Sequence, residues 1–130
     1  MRFLVDTHAL LWALGEPSAL SLKAKEAISD PANLIVVSSA SLWECAIKVS
    51  IGKLDLPEDF FDSIPEAGYE VLPIRISHLN VYRTLPMHHR DPFDRMLVAQ
   101  ARAEALTLIS RDPEITKYAS VTFGVGRLTA

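Results

Sequence analysis

Short apolar segments that alternate with helical patterns constrain the fold of this 130-residue chain more than any other feature. Four of these segments are candidate strands, at residues 2–5, 34–38, 69–74 and 106–110, and residues 121–123 are a possible fifth. Between them, apolar residues recur every three or four positions, as in helices. The local signals predict N-caps at Ser21 and Ser77, a short helix opened by Pro57 and another short helix at 113–119. Because parallel strands need a helical crossover, this order predicts a three-layer α/β/α fold with a mostly parallel sheet of about five strands.

The composition predicts a single domain over residues 1–130. Hydrophobic residues make up 49% of the chain, which is typical of compact proteins, and no linker is apparent. The only cysteine, Cys45, lies in an apolar helical pattern and favours a reducing compartment. No apolar run approaches the roughly 20 residues of a membrane span, so we expect a cytoplasmic protein without a membrane partner.

Acidic residues follow the candidate strands or open a helix. Asp6 ends the first strand, Glu44 lies in the first turn after the second, Asp94 lies in the first turn of the long helix, and Asp112 follows the fourth strand. In an open parallel sheet the carboxyl ends of the strands meet at one edge, where ligands bind. The four acids can therefore converge.

Each acid also has a purely structural interpretation. Glu44 forms a capping-box pattern with Ser41, Asp6 can cap the first helix, and both Asp91 and Asp112 precede a proline, as an N-cap often does. Asp94 is harder to explain in this way, because Asp91 already supplies the cap of the same helix.

Electrostatic repulsion between the carboxylates distinguishes the functional interpretation from the structural one. Two carboxylates about 5 Å apart repel by roughly 3 kcal/mol at an effective dielectric constant of about 20. Four such groups form six pairs, so the sum rivals the roughly 5 to 15 kcal/mol stability of a domain. A converged set must be protonated, spread apart or neutralised by a cation. Oxygen ligands without His or Cys favour Mg²⁺ or Mn²⁺, and such an ion suits phosphodiester hydrolysis.

Other chemistry has less support. The five glycines form no phosphate-binding loop, and no nucleophile elbow is present. His78, His88 and His89 lack a zinc-ligand spacing. The segment 88–90 offers either phosphate contacts or a solvated loop. The net charge of −3 argues against nucleic-acid binding through overall basicity, although acids gathered around a metal ion would also lower the charge.

The segments "LVDTHALLW", "SSASLWE", "HRDPFDRMLVAQA" and "LISRD" resemble, in order and spacing, the signature segments of the PIN-domain family, and specifically of VapC-like ribonuclease toxins. The likeness covers almost the whole chain. It implies that Asp6, Glu44, Asp94 and Asp112 are the catalytic and metal-binding acids, with the strongest case for Asp6 and Asp94. The hydroxyl residues Thr7 and Ser110 match positions that adjoin the site.

The resemblance also implies a homodimeric endoribonuclease that depends on Mg²⁺ or Mn²⁺, cleaves RNA and is inhibited by a cognate antitoxin. Arg90, Arg95 and Arg111 are candidate RNA contacts, because each adjoins an acid of the site; pairing with a neighbouring carboxylate is an equal alternative for Arg95. Two other functions stay open: a catalytically silent PIN-like interaction module, and a metal-dependent nuclease acting on DNA. Residues 56–67 are a candidate antitoxin contact. Trp12 and Trp43 are expected in the core, with an antitoxin groove or a dimer face as the alternative.

Overall fold

The computed structural model describes residues 1–87, 90–113, 115 and 126–129. The strands are β1 (Arg2–Val5), β2 (Leu34–Ser38), β3 (Glu70–Leu72), β4 (Thr107–Ile109) and β5 (Gly126–Leu128). The helices of the described part are α1 (Thr7–Gly15), α2 (Leu22–Ser29), α3 (Ser39–Ser50), α4 (Phe60–Glu66), α5 (Ile76–Tyr82) and α6 (Pro92–Glu104), with a short 3₁₀ turn at Pro17–Ala19. None of these helices has the length and apolar content that crossing a membrane requires.

The strands form one parallel sheet in the order β3-β2-β1-β4-β5, which confirms the predicted fold class. The chain first builds the sheet outward from β1 to β3 and then returns to place β4 on the other side of β1. Val5, the last residue of β1, pairs with Val37 of β2 and with Ile109 of β4. The residues that follow Val5 and Ile109 therefore emerge side by side at the carboxyl edge, where the strand order reverses.

The central strands β1, β2 and β4 are buried on both faces, as their continuous apolar sequences predict. Leu4, Val36 and Leu108 pack on one face in a cluster that includes much of α6. Alternate residues of the same strands point to the other face, where they pack against α1, α2 and α4. The result is a sheet between two helical layers.

Several helix boundaries agree with the sequence prediction. The Ser21 hydroxyl accepts a hydrogen bond from the backbone N–H of Ala24 and caps α2. The Asp91 carboxylate accepts bonds from the N–H groups of Phe93 and Asp94, so Asp91 caps α6 as expected.

Other boundaries were wrong. Ser77 does not cap α5 but lies inside it, and Arg75 is at the N-cap position. Helix α4 begins at Phe60 rather than at Pro57, because Pro57 belongs to the preceding turn, in which its carbonyl accepts a bond from the Phe60 N–H. The possible strand at 121–123 and most of the short helix expected at 113–119 lie outside the described residues.

The two tryptophans differ. Trp12 is half-buried and packs against the core on the side of the sheet covered by α1, α2 and α4. Trp43 by contrast is 61% exposed and touches Phe93 edge to face. The prediction that Trp43 lies in the core was wrong, because α3 turns its other side toward the sheet and buries Ala40, Ser41, Glu44 and Cys45.

Candidate functional site

A cavity of about 420 Å³ opens at the carboxyl edge of the sheet, beside the ends of β1 and β4. It contains all four acids that the sequence singled out, together with Asp91. Its lining residues are Asp6, Thr7, His8, Trp12, Glu44, Lys48, Asp91, Asp94, Arg111, Asp112 and Pro113. Residues from four separate stretches of the chain therefore meet in one place.

Asp6 is both a helix cap and a cavity residue. Its carboxylate accepts a bond of 2.8 Å from the backbone N–H of Ala9, which caps α1, and it is only 5% exposed. Burial raises the pKa of Asp6 above its usual value, and the nearby charge of Asp112 raises it further. Hydrogen bonds from Ser110 and Ala9, and the proximity of His8, lower this pKa but do not offset the burial. The capping and functional interpretations of Asp6 are thus compatible.

Glu44 has no capping role. Ser38 caps α3 through its hydroxyl, which accepts from the Ala40 N–H, so the capping box predicted with Ser41 was wrong and Glu44 lies in the second turn. The Glu44 side chain is buried. Its Oε1 accepts a bond of 2.6 Å from the Thr7 hydroxyl, and its Oε2 lies 3.1 Å from Nζ of Lys48. Thr7 therefore joins the end of β1 to α3 through Glu44.

Asp94 projects into the cavity from the first turn of α6, one turn from the cap Asp91. An acid in this position is stabilised by the positive end of the helix dipole. The α6 N-terminus therefore carries two acids, of which Asp91 also orders the backbone.

Ser110 and Asp112 follow β4. The Ser110 hydroxyl is fully buried, bonds to Asp6 and accepts a bond of 3.0 Å from the backbone N–H of Asp112. This bond fixes the turn that carries Asp112 to the cavity wall. Thr7 and Ser110 thus each hold an acid of the cavity, in line with their predicted supporting positions.

The three arginines proposed as RNA contacts occupy different environments. Arg95 is 6% exposed, and its guanidinium donates to the carbonyls of Leu85 and Pro86 and lies over the ring of Tyr82. This burial argues against the predicted contact between Arg95 and RNA. Arg111 lines the cavity and lies 4.6 Å from the ring centre of Trp12. Arg90 is exposed next to Asp91.

Sequence reasoning missed three cavity residues. His8 and Trp12 have stacked rings with centroids 5.7 Å apart, and Lys48 pairs with Glu44. Their positions were predictable in part, because Lys48 lies four residues after Glu44 on a helix and His8 lies two residues after Asp6. Nothing in the sequence showed that these side chains face the acids.

The histidines outside the cavity give no zinc site among the described residues. His78 is buried, and its ring contacts Glu104 at 2.8 Å and the backbone N–H of Arg75 at 3.0 Å. His88 and His89 lie outside the described residues.

Burial and the neighbouring Glu44 raise the pKa of Cys45 to about 11, so this thiol stays protonated.

The donor chemistry of the cavity fits a hard divalent cation. It has five carboxylates and two permanent cations, which leaves a net charge of −3 when every acid is ionised and His8 is neutral. Within the part of the chain that the structure describes, no three His, Cys, Asp or Glu side chains lie close enough to hold one ion together. Mg²⁺ does not require such a cage, because it usually binds one or two carboxylates and keeps several waters. Asp6 and Asp94 suit this kind of binding.

Fold and cavity together define an open parallel-sheet α/β protein with an acidic site at the carboxyl ends of its central strands. The PIN domain family model matches residues 3–121. The chain belongs to the PIN domain family, whose members are generally nucleases that use divalent metal ions. The resemblance drawn from the signature segments is thereby confirmed. Comparison with curated protein sequences gives no significant match.

Solved structures with the same fold come from several bacteria. The structure of VapBC2 from Rickettsia felis, bound to a DNA fragment from its promoter, includes a chain with a TM-score of 0.70 and 15% identity, covering 100% of this chain and 99% of that one. A member of the VapBC family of toxin-antitoxin systems, VapBC-5 from Mycobacterium tuberculosis, has a TM-score of 0.62 and 16% identity, covering 99% of this chain and 98% of that one. FitAcB from Neisseria gonorrhoeae has a TM-score of 0.60 and 16% identity, covering 98% of this chain and 96% of that one. At these identities the likeness establishes the fold alone.

Proposed function

We propose that this chain is an endoribonuclease that depends on Mg²⁺ or Mn²⁺ and is the toxin of a toxin-antitoxin pair. The observation that carries the proposal is the meeting of Asp6, Glu44, Asp94 and Asp112 in one cavity of a PIN domain. None of the four acids that the signature segments specify is replaced, which favours an active nuclease over a silent interaction module.

The acids divide the work in this proposal. Asp6 and Asp94 would bind the cation directly, and Glu44 and Asp112 would complete the site, with Asp112 acting directly or through water. A bound divalent ion supplies positive charge at the phosphoryl group and activation of an attacking water. Ser110 and the Ala9 N–H hold the Asp6 carboxylate in one orientation, so that it is preorganised for the ion. No side chain needs to form a covalent intermediate.

RNA reaches this site through a small number of basic contacts. Arg111 lines the cavity beside Trp12, and Arg90 is exposed next to the α6 N-terminus. Arg95 has no such part, because it is buried against the segment 85–87. With few cations near the acids, the ion itself carries much of the attraction for the scissile phosphate.

The partners that we propose are a cognate antitoxin and a second copy of the chain, in the cytoplasm. Exposed apolar side chains on α3 and α5, among them Trp43, Ile76 and Leu79, give a homodimer surface to bury. The proposed antitoxin segment, residues 56–67, borders a groove of about 200 Å³ between α1 and α4. VapBC-5, a solved structure with this fold, is a member of a family of toxin-antitoxin systems, which supports an antitoxin partner.

Purified protein incubated with total RNA tests the function. We expect cleavage with Mg²⁺ or Mn²⁺ and none with a chelator, with cut ends mapped by sequencing. Asp94→Asn should abolish cleavage, whereas the matched control Asp55→Asn, which changes an exposed acid outside the cavity, should retain it. Preferential cleavage of single-stranded DNA would favour the alternative DNA nuclease. No cleavage of either polymer with any divalent ion, by a protein that still binds its antitoxin, would favour the silent module.

A further inference from the structure

Lys48 is a basic residue that lines the acidic cavity, and the proposed chemistry assigns it no role. Its ammonium lies 3.1 Å from Oε2 of Glu44, and its side chain is 39% exposed. Glu44 by contrast is 9% exposed, and its other oxygen is taken by the Thr7 hydroxyl. Both carboxylate oxygens of Glu44 therefore already have protein partners.

This pair differs from an ordinary surface ion pair on a helix. The four-residue spacing on α3 brings Lys48 one turn beyond Glu44 on the same side of the helix. Because Glu44 is buried, its charge needs a partner to offset desolvation, and Lys48 is that partner. The exposed part of Lys48 meanwhile faces the cavity that holds Asp6, Asp94 and Asp112.

A divalent cation placed against Glu44 would have to displace or repel the Lys48 ammonium. The Thr7 hydroxyl already contacts the other carboxylate oxygen of Glu44, so direct binding of the ion there would break one of these two contacts.

We propose that Lys48 is an internal counter-ion of the cavity and binds a non-bridging oxygen of the scissile phosphate, while Glu44 positions it. An ammonium group has three donors, so the pair with Glu44 leaves Lys48 able to donate to a phosphate. Glu44 then acts by orienting Lys48 and Thr7 rather than as a direct ligand of the ion. This inference rests on the proposed nuclease function, and it makes a prediction of opposite signs for ion binding and for cleavage.

The test compares Lys48→Met with the wild type in two measurements. Calorimetric titration of the ion-free protein with Mn²⁺ should show about tenfold tighter binding in Lys48→Met, because a positive charge that opposes the ion is gone. Single-turnover RNA cleavage at saturating Mn²⁺ should fall by about tenfold, because one charge-assisted contact to the phosphate is lost. Lys48→Arg should restore wild-type ion affinity, and the exposed Lys53→Met, outside the cavity, should change neither value.

The two measurements separate the possible failures. If Lys48→Met weakens ion binding and cleavage together, Lys48 only supports the structure and the inference is wrong. Unchanged cleavage at saturating ion would also overturn it. If the wild type cleaves no RNA with any ion, the proposed function fails; tighter Mn²⁺ binding by Lys48→Met would in that case still uphold Lys48 as the counter-ion, and unchanged binding would reject it. A Lys48→Gln variant replaces Lys48→Met if the latter does not fold.

Discussion

Replacing Asp6 with asparagine removes one charge from the acidic cavity and keeps the shape of the side chain. Asparagine retains an oxygen at the position that accepts the Ala9 N–H, so the cap of α1 survives. The group that changes is a carboxylate whose pKa is raised chiefly by burial, with a further contribution from Asp112. We therefore expect Asp6→Asn to lose RNA cleavage and to gain stability.

The gain follows from the balance of two effects. The charge of Asp6 at the start of α1 interacts favourably with the helix dipole, typically by about 0.5 kcal/mol, and this term is lost. Keeping an ionised carboxylate in a buried, acidic site is unfavourable, as the direction of the pKa shift indicates, and we expect this cost to exceed the lost dipole interaction. Relief of such functional-site strain commonly yields about 1 kcal/mol, which corresponds to roughly 3 to 5 °C in Tm for a domain of this size.

The effect depends on pH with a defined sign. Because the folded-state pKa of Asp6 is raised above 3.8, the folded protein binds this proton more tightly than the unfolded chain does. The wild-type stability due to this group therefore falls as pH rises from the unfolded value through the folded one. The advantage of Asp6→Asn should vanish below the unfolded pKa and be complete at neutral pH.

Urea denaturation with a chelator present, at pH 7 and again near pH 3.5, measures this difference, and Asp55→Asn controls for the loss of an exposed acid. Saturating Mg²⁺ should reverse the order of stability at pH 7, because the ion stabilises only the protein that binds it. A variant that is less stable than the wild type by about 1 kcal/mol or more at pH 7 in chelator would refute the argument that burial dominates.

Three further predictions concern other parts of the molecule. Arg95→Ala should lower the free energy of unfolding by about 2 to 3 kcal/mol in urea denaturation, because it leaves the carbonyls of Leu85 and Pro86 without their donor. A variant that keeps wild-type stability but binds RNA more weakly would contradict this prediction. A hydrogen bond from His78 holds the pKa of Glu104 below its ordinary 4.5, so the stability that the ionised Glu104 contributes should be present above that pH and be lost as pH falls below it. Glu104→Gln should then be less stable than the wild type at pH 6 but match it near pH 2. An equal loss of stability at both pH values would exclude a contribution from the ionised Glu104. RNA binding should depend weakly on salt, with a log–log slope of about −2 or shallower, and a slope near −6 in fluorescence titrations would require many more phosphate contacts.

Local sequence patterns predicted much of the fold. The apolar run at 34–38 forms β2 at those residues, and Ser21 and Asp91 cap the helices that follow them, because a cap depends on its neighbours within one turn. The choice of cap at α3 was not predictable in this way. The segment 38–41 has three serines, and the position at which the strand ends and the helix begins depends on pairing of β2 with β1 and β3.

Side-chain environment was the less predictable property. Arg95 follows Asp94 directly, yet the two face different surroundings, since Arg95 turns under the segment 85–87 and Asp94 lines the cavity. Trp43 lies in an apolar pattern but is mostly exposed, because α3 buries the side that carries Glu44. An apolar pattern marks a stripe on a helix and does not state how the helix is rotated against its neighbours.

The sequence by itself determined the alternation of strands and helices, the parallel sheet and the placement of acids at strand and helix ends, since all of these depend on short-range periodicity and capping. Only the tertiary structure decided that β4 lies beside β1, that Ser110 and Asp112 thereby meet Asp6, and that the Thr7 hydroxyl bonds to the buried Glu44. The physical reason is that strand order and the hydrogen bonds of buried acids depend on packing between residues far apart in the chain, which local patterns do not encode.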